Sequence, residues 1–412
     1  MVASYFLVPN SQVQQKVVKT LAGAQVLSGI GVAGTVAAGS LLVASISNSE
    51  TLAGLAQTSA VLGAAALALP LARITAKGGR RAALSVGYFA GFIGSVFAIW
   101  GGTSRNLALM LIGTFLVGAA SAAGYQARFA AIDLATDESR AKQLSFVVWG
   151  STIGAVAGPN LMQPAGNFAE NIGLPRLVGP YLISATTLAL AAVVIALFLK
   201  PDPYLLANKS NSLDANTSST KEALSHIYRN PTALFAIAAI AIGHIAMVSV
   251  MVMTPVHMAH VDVTLSVIGL VISVHVLGMY AYSPIVGSLS DRLGRVRVIQ
   301  IGLAILLLST VISGLAQAND AYTLGVGLFL LGLGWSCTLI AGSALLSESV
   351  ETSFKASSQG ASDLVMNLAG AAGGAVAGII IGTLSYGWLC ITAAAPVALL
   401  AISSFKLKSE SR

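Results

Sequence analysis

Residues 287–297 read Gly-Ser-Leu-Ser-Asp-Arg-Leu-Gly-Arg-Val-Arg, a polar stretch punctuated by glycine and set between two long apolar runs, 264–286 and 298–317. Each run is long enough to cross a hydrocarbon layer, which takes about 20 apolar residues in a helix. The stretch between them is therefore a short connection at one face of a membrane. Its arginines Arg292, Arg295 and Arg297 put that face inside, because loops on the cytoplasmic side hold the positive excess. Working outward with the same length criterion gives twelve apolar segments, at 21–46, 51–72, 82–100, 107–129, 143–165, 180–199, 232–256, 264–286, 298–317, 322–346, 359–383 and 386–404. Of 412 residues, 56% are hydrophobic and 9% charged, whereas a soluble domain carries roughly 25% charged residues. Such a chain cannot cover a surface that faces water, and it reads as an all-α membrane protein of twelve transmembrane helices.

With both termini cytoplasmic, the inner side collects every Lys and Arg except Arg105 and Arg176, out of 22 in all. One missed helix would scramble that alternation, so the charge split supports both the orientation and the count. The basic residues recur in short clusters between apolar runs, so the net charge of +7 addresses topology, and no nucleic-acid partner is expected. Residues 1–19 lack a short apolar region ending in a small-residue cleavage site, so the first apolar run is expected to stay in place as a helix. Cys337 and Cys390 both sit inside apolar segments and read as small core hydrophobes, with no disulfide framework.

One stretch breaks the rhythm of short connections. Lys200 to Asn230 is rich in Ser, Asn, Thr and Lys and reads as a solvated linker that ends in a short amphipathic piece, Lys221 to Asn230. It divides the chain into a bundle at 1–199, a linker at 200–230 and a bundle at 231–412. The halves echo each other in order. A basic turn follows the second segment of each, ARITAKGGRR at 72–81 and GSLSDRLGRV at 287–296. An acid-to-base pair follows the fourth, Asp133 to Arg140 and Glu348 to Lys355. The fifth contains GAVAG, at 154–158 and 374–378. A parallel six-helix repeat of this kind places a substrate site between the halves near the midplane.

The 287–297 stretch closely resembles the loop signature of the major facilitator superfamily, G-x-L-x-D-R-x-G-R-R, at the position where that family carries its second-half copy. A positive-inside loop alone accounts for the arginines, but not for Asp291 with Gly287 and Gly294 at set spacing. The resemblance implies a conformational latch in which a glycine turn presents Asp291 to a helix N-terminus, where the helix dipole favours an anion. Gly287, Asp291, Arg292, Gly294 and Arg295 would form it, docking on the N-terminal turn of the fifth helix around Lys142 to Leu144. The first-half copy departs from the pattern: Ala72 and Ala76 replace the first Gly and the Asp, while Lys77, Gly79, Arg80 and Arg81 match. By the two-fold repeat, this cationic loop is expected to find its acid on the eleventh helix, as an ion pair of Asp363 with Arg73, Arg80 or Arg81.

Gly150, Gly154, Gly158 and Pro159 resemble the G-x-x-x-G-P core of the superfamily's antiporter motif, although Asn160-Leu161-Met162-Gln163 follows where the full motif has further glycines. Glycine every fourth residue makes a smooth groove for close helix contact, and Pro can bend the helix. Arg128 to Pro159 also resembles the fourth-to-fifth-helix region of bacterial multidrug-type members. The resemblance implies a secondary transporter of the cell membrane, working by alternating access, with proton-coupled efflux as the leading expectation. Import of a nutrient or metabolite by the same fold is the alternative. A receptor or enzyme without transport would need catalytic clusters or sizeable loops, and the sequence has neither a catalytic set nor a nucleotide-binding loop.

Ionisable groups inside spans are costly and mark function by default. His244 lies near the middle of the seventh segment and His275 near the middle of the eighth, while Asp363 lies one to two turns into the eleventh. These three are the candidates for proton coupling, since imidazole titrates near neutrality. The alternative for each His is a neutral ring hydrogen-bonded to a neighbouring helix, and for Asp363 a carboxylate reaching toward interfacial arginine. His257 and His260 with Asp262, near Met247, Met251, Met253 and Met258, lack a third fixed ligand, so soft methionine packing is the reading adopted and no metal site is expected. The polar or aromatic residues embedded in spans are candidates for a substrate cavity: Gln25, Gln57, Tyr125, Gln126, Trp149, Asn160, Gln163, Tyr280, Trp335 and Asn367. They carry no charge, which suits an amphipathic, neutral or weakly cationic solute. Neither a cofactor nor a catalytic residue is expected. The proton gradient would supply the energy, and the partners would be a small-molecule solute and the lipid bilayer, with the chain acting as a monomer.

Overall fold

The computed structural model describes residues 10–48, 55–208, 227–259 and 265–405, with Leu52 and Ser225 in addition. The described residues form helices and the turns between them, and no strand occurs among them. In chain order the helices are α1 (Asn10–Ser47), α2 (Leu55–Thr103), α3 (Leu107–Ala130), α4 (Arg140–Asn160), α5 (Met162–Asn171), α6 (Gly179–Phe198) and α7 (Pro203–Ala207). They continue with α8 (Pro231–Ala259), α9 (Leu265–Tyr280), α10 (Ser283–Leu293), α11 (Arg295–Leu315), α12 (Ala321–Ser349), α13 (Lys355–Thr383) and α14 (Tyr386–Ser404).

Three of these elements depart from one helix per crossing, each for a local reason. α2 has 49 residues, about 70 Å at 1.5 Å per residue, more than twice a hydrocarbon layer of about 30 Å. It is two crossings, divided at Gly79, where φ is 85° and ψ 175°. α4 and α5 meet at 55° around Leu161 and make one broken crossing over the expected segment 143–165. Pro159 lies just before the break and has no N–H to continue the ladder. α9 and α10 are interrupted at Ala281–Tyr282, with Pro284 in the first turn of α10. Taken this way, the described residues hold twelve crossings.

The polar stretch that decided the fold is also corrected in detail. Gly287 to Leu293 is helix, the end of α10, and the turn is confined to Gly294, with φ 92°. A left-handed backbone carries no Cβ penalty only at glycine, so α10 stops and α11 starts at that residue. The expected linker likewise begins with structure. Asp202 accepts hydrogen bonds from the N–H groups of Tyr204 (3.0 Å) and Leu205 (3.1 Å), and Pro203 opens α7. This is a favourable N-cap followed by Pro at the first helical position. Residues 209–224 and His226 lie outside the described residues.

The chain forms two compact units, Met1–Ser219 with Thr352–Gly360, and Thr220–Glu351 with Ala361–Arg412. In the first, α1 lies against both α4 and α6, and the two halves of α2 pack on α3. Gly154 faces Gly29 and Gly158 faces Gly34, and a Cβ on Gly154 or Gly158 would collide with the α1 backbone. Leu21, Leu84, Tyr88, Leu188 and Ile195 form one buried cluster, and Leu42, Met110, Val178 and Tyr181 another. In the second unit α12 is central. It packs on α8, α9 and α11 and is buried without interruption from Gly334 to Ser347, as expected of a helix that is apolar all round. Asp320 starts it by accepting from the hydroxyl of Thr323 (2.6 Å) and its N–H (3.0 Å), and these bonds hold the Asp320 carboxyl below the usual carboxylate range. Large apolar side chains face outward, among them Leu190, Phe198, Leu308, Leu315, Ile379 and Leu399. Water would penalise that surface, whereas hydrocarbon would not.

Candidate functional site

The same polar device occurs once in each unit. In the first, Arg80 follows the break at Gly79 and is 1% exposed. Its Nε donates to Asp133 Oδ2 (2.8 Å) and its Nη2 to Asp133 Oδ1 (3.1 Å), a two-pronged contact with a side chain 5% exposed. Nη2 also donates to Gln359 Oε1 at 2.6 Å, within the same unit. In the second unit, Arg295 follows the turn at Gly294. Its Nε and Nη2 donate to Glu348 Oε1 (3.1 and 2.9 Å), and its Nη1 donates to Asp291 Oδ1 (2.5 Å). Arg and acid are 53 residues apart in both copies. The planar guanidinium suits this work, since it can hold two acceptors at once in a fixed fork.

Asp291, proposed as a carboxylate presented by a loop, lies within α10 and pairs with Arg295. Within the first unit Arg80 takes Asp133 as its carboxylate, an acid to which the two-fold repeat did not point. Asp133 and Glu348 were visible in the sequence as the acids of matched acid-to-base pairs, and their distance from Arg80 and Arg295 in the chain hid the contact. Asp363 is fully buried on α13, and its backbone carbonyl accepts from Asn367 Nδ2 (2.7 Å). Arg292 is exposed, and Arg81 donates its backbone N–H to Asp202 Oδ2 at 2.7 Å.

A second set of candidates meets inside the second unit. Trp335 Nε1 of α12 donates to His244 Nδ1 of α8 at 3.0 Å, which places the hydrogen of the neutral imidazole on Nε2. Tyr280 at the end of α9 stands edge-on to Trp335, with ring centres 5.8 Å apart at 88°. Gly370 of α13 abuts the His244 ring, and a Cβ there would lie 2.8 Å from Nε2. Asn367 is one turn earlier on the same helix. His244, Trp335, Tyr280 and the Asn367–Gly370 turn thus bring four helices to one polar point. His275 is arranged differently: its Nδ1 donates to the carbonyl of Leu328 of α12 at 2.7 Å, a hydrogen bond to a neighbouring helix.

The remaining candidates disperse. Gln25 of α1 donates to Ser151 Oγ (2.9 Å) and accepts from the Tyr88 hydroxyl (3.5 Å), so it joins three helices. Gln126 is buried and donates to the carbonyl of Ala68 (2.9 Å), and Tyr125 lies against the Arg128 guanidinium, 5.7 Å from its ring centre. Gln57, Trp149, Asn160 and Gln163 are exposed in the unit, and Asn160 donates to Val156 of its own helix. His257 stacks on Tyr386 with ring centres 4.3 Å apart, while His260 and Asp262 lie outside the described residues. Tyr88, Ser151 and Gln359 were missed, since nothing in the local pattern distinguishes them from packing residues.

Comparison with known proteins accounts for this architecture. The family model described as Major Facilitator Superfamily matches residues 21–264 and 251–411. The chain is 35% identical over 387 residues to the uncharacterized MFS-type transporter YdeG of Bacillus subtilis (strain 168), covering 93% of this chain and 90% of that one. It is 33% identical over 390 residues to YddS of the same organism, described in the same words, with 93% and 89% covered. The riboflavin transporter RfnT of Brucella anthropi is 28% identical over 306 residues, 74% of each chain. Among solved structures, the proton:xylose symporter XylE superposes with a TM-score of 0.73 at 16% identity, over 97% of this chain and 96% of that one. With its matched Gly-Arg-acid devices and its twelve crossings, the chain belongs to the major facilitator superfamily, a multi-pass membrane transporter of small solutes and not an enzyme.

Proposed function

We propose that this transporter exports a small neutral or weakly cationic solute with an aromatic ring across the cytoplasmic membrane, in exchange for protons, by alternating access with both termini in the cytoplasm. The observation that carries this reading is the hydrogen bond from Trp335 Nε1 to His244 Nδ1. Neutral His244 can accept it. Once Nδ1 binds a proton, two N–H donors face each other and the contact is lost. A proton on His244 and the present seat of the Trp335–Tyr280 pair are therefore mutually exclusive. A solute ring stacked on that pair would compete with the proton, and competition for one state of one site is the negative coupling that exchange requires. The relation to a riboflavin transporter fits a solute with a flat aromatic ring. Asn367 on the adjacent helix offers a neutral hydrogen-bonding group.

The same reading makes the two arginine devices the conformational latch: Arg80 and Arg81 in the first half, with Gly287, Asp291, Arg292, Gly294 and Arg295 in the second. Their contacts would form when the cytoplasmic side is closed and part when it opens. The test is uptake into inside-out vesicles of a panel of aromatic amines and neutral heterocycles, with and without an interior-acid pH gradient. Accumulation driven by the gradient and abolished in His244→Gln is expected. Accumulation indifferent to the gradient removes the exchange reading, and accumulation only in right-side-out vesicles replaces efflux with uptake.

A further inference from the structure

The two copies of the arginine device differ at one position. In the second, Asp291 precedes Gly294 by three residues and Arg295 by four, and it sits on Arg295 Nη1. In the first, Gly79 and Arg80 are present in the same backbone geometry, with a positive φ at the glycine, but position 76 is Ala. Without a further acid, the turn Gly79–Arg81 would carry two guanidinium groups against the one carboxylate of Asp133.

The missing acid is present in space. Asp202, at the start of what composition marks as linker, places Oδ2 2.7 Å from the backbone nitrogen of Arg81 and accepts its N–H. Its carboxyl fills the place beside Gly79 where a Cβ would stand, so any residue other than glycine there would collide with it. Arg81 lies in the first turn of the helix that resumes after Gly79, and a helix start favours an anion through its free N–H groups and its dipole. With Oδ1, Asp202 caps α7 through the N–H groups of Tyr204 and Leu205. That cap sets the Tyr204 ring over the Arg80 guanidinium, 5.5 Å from the ring centre. Lys16 Nζ donates to the carbonyl of Lys200 (3.1 Å) and holds the same segment against α1. One carboxylate therefore joins the restart of α2 to the start of α7, and the aromatic ring it orients covers the arginine that grips Asp133 and Gln359.

We infer that Asp202 is the carboxylate that the first-half device lacks at Ala76, and that as a positioning residue it holds the Gly79–Arg81 turn so that Arg80 can take Asp133 and Gln359 together. The segment after the sixth crossing is thereby part of the latch and more than a tether between halves. This inference rests on the alternating-access reading above.

The test uses the full-length chain in lipid nanodiscs, with spin labels at Thr136 and Tyr228, one in each unit, read by double electron-electron resonance. Arg80→Ala, which removes the latch outright, sets the scale. Asp202→Asn retains an acceptor for the Arg81 N–H but removes the charge, and Asp202→Ala removes both. The expected shift in the ratio of the two distance populations is about tenfold for Asp202→Ala, the scale of one charge-assisted hydrogen bond, and smaller but in the same direction for Asp202→Asn. Restoring a carboxylate where the second copy has one, as Ala76→Asp on top of Asp202→Asn, should return the distribution to that of the unmodified protein. Loss of a merely structural contact would not be repaired from position 76. If Arg80→Ala moves the distribution and Asp202→Asn does not, or if Ala76→Asp fails to restore it, the inference is overturned. If Arg80→Ala itself changes nothing, the latch reading fails instead. Should Asp202→Ala not fold, the Asn variant and the rescue decide.

Discussion

Arg80→Ala is the sharpest perturbation of the first unit. Arg80 and Asp133 are 1% and 5% exposed and share two hydrogen bonds, with a third from Arg80 to Gln359. Truncation leaves the Asp133 carboxylate buried without its cation, and breaking a buried pair on one side costs about 3–5 kcal/mol. The matched change Arg295→Ala strands two carboxylates, Asp291 and Glu348. Glu348 is 25% exposed and can recover water, at about 1–3 kcal/mol for an unsatisfied polar group, whereas Asp291 is 6% exposed, as buried as Asp133, and its loss of the cation belongs to the same about 3–5 kcal/mol range. Equilibrium unfolding in mixed micelles of the two single variants, and of a double-mutant cycle with Asp133→Ala, measures both. The expected results are losses of similar size for Arg80→Ala and Arg295→Ala and a double variant less unstable than the sum of the Arg80 and Asp133 singles, since removal of both partners leaves no stranded charge. An Arg80→Ala variant that loses less than about 1 kcal/mol, or additive singles, would refute the burial argument.

Three further outcomes are expected. Trp335→Phe keeps the ring but removes the N–H that His244 accepts. It should cost roughly 0.6–1.7 kcal/mol, the range for side-chain hydrogen bonds between membrane helices, and should flatten the pH dependence of transport between pH 5 and 8; an unchanged pH profile would remove Trp335 from the coupling. Gly154→Leu should prevent α1 and α4 from closing on each other, because its Cβ would meet the Gly29 backbone, whereas the Cβ of Gly378→Leu meets nothing within 4 Å among the described residues. The comparison is read as the yield of monodisperse protein, and equal yields would contradict the packing. Gly79→Ala should destabilise through both its positive φ and its collision with Asp202. Thermal unfolding checks this, with Gly78→Ala, whose Cβ meets only the Ala82 methyl at 3.3 Å, as the tolerated control.

The sequence by itself determined the number of crossings, since each depends on a local property, about 20 apolar residues between polar breaks. It also determined the layout in two copies, because Gly-Arg pairs and their acids recur in the same order, and it carried the resemblance that led to the family. What it left open were contacts between residues far apart in the chain. The acid for Arg80 is Asp133, 53 residues away, and the acid beside Gly79 is Asp202, 121 residues from Arg81. No local pattern marks either acid as the partner of that turn. The paired GAVAG strings make the same point: a Cβ on Gly154 or Gly158 would meet the α1 backbone, while one on Gly374 would only touch Val248 at 3.6 Å and one on Gly378 would meet nothing within 4 Å among the described residues. Composition specifies which side chains must leave water, and spacing specifies which face of a helix they share. The partner that a buried charge finds depends on which helices come together and on where a single glycine lets the backbone turn, and only the tertiary structure decides that.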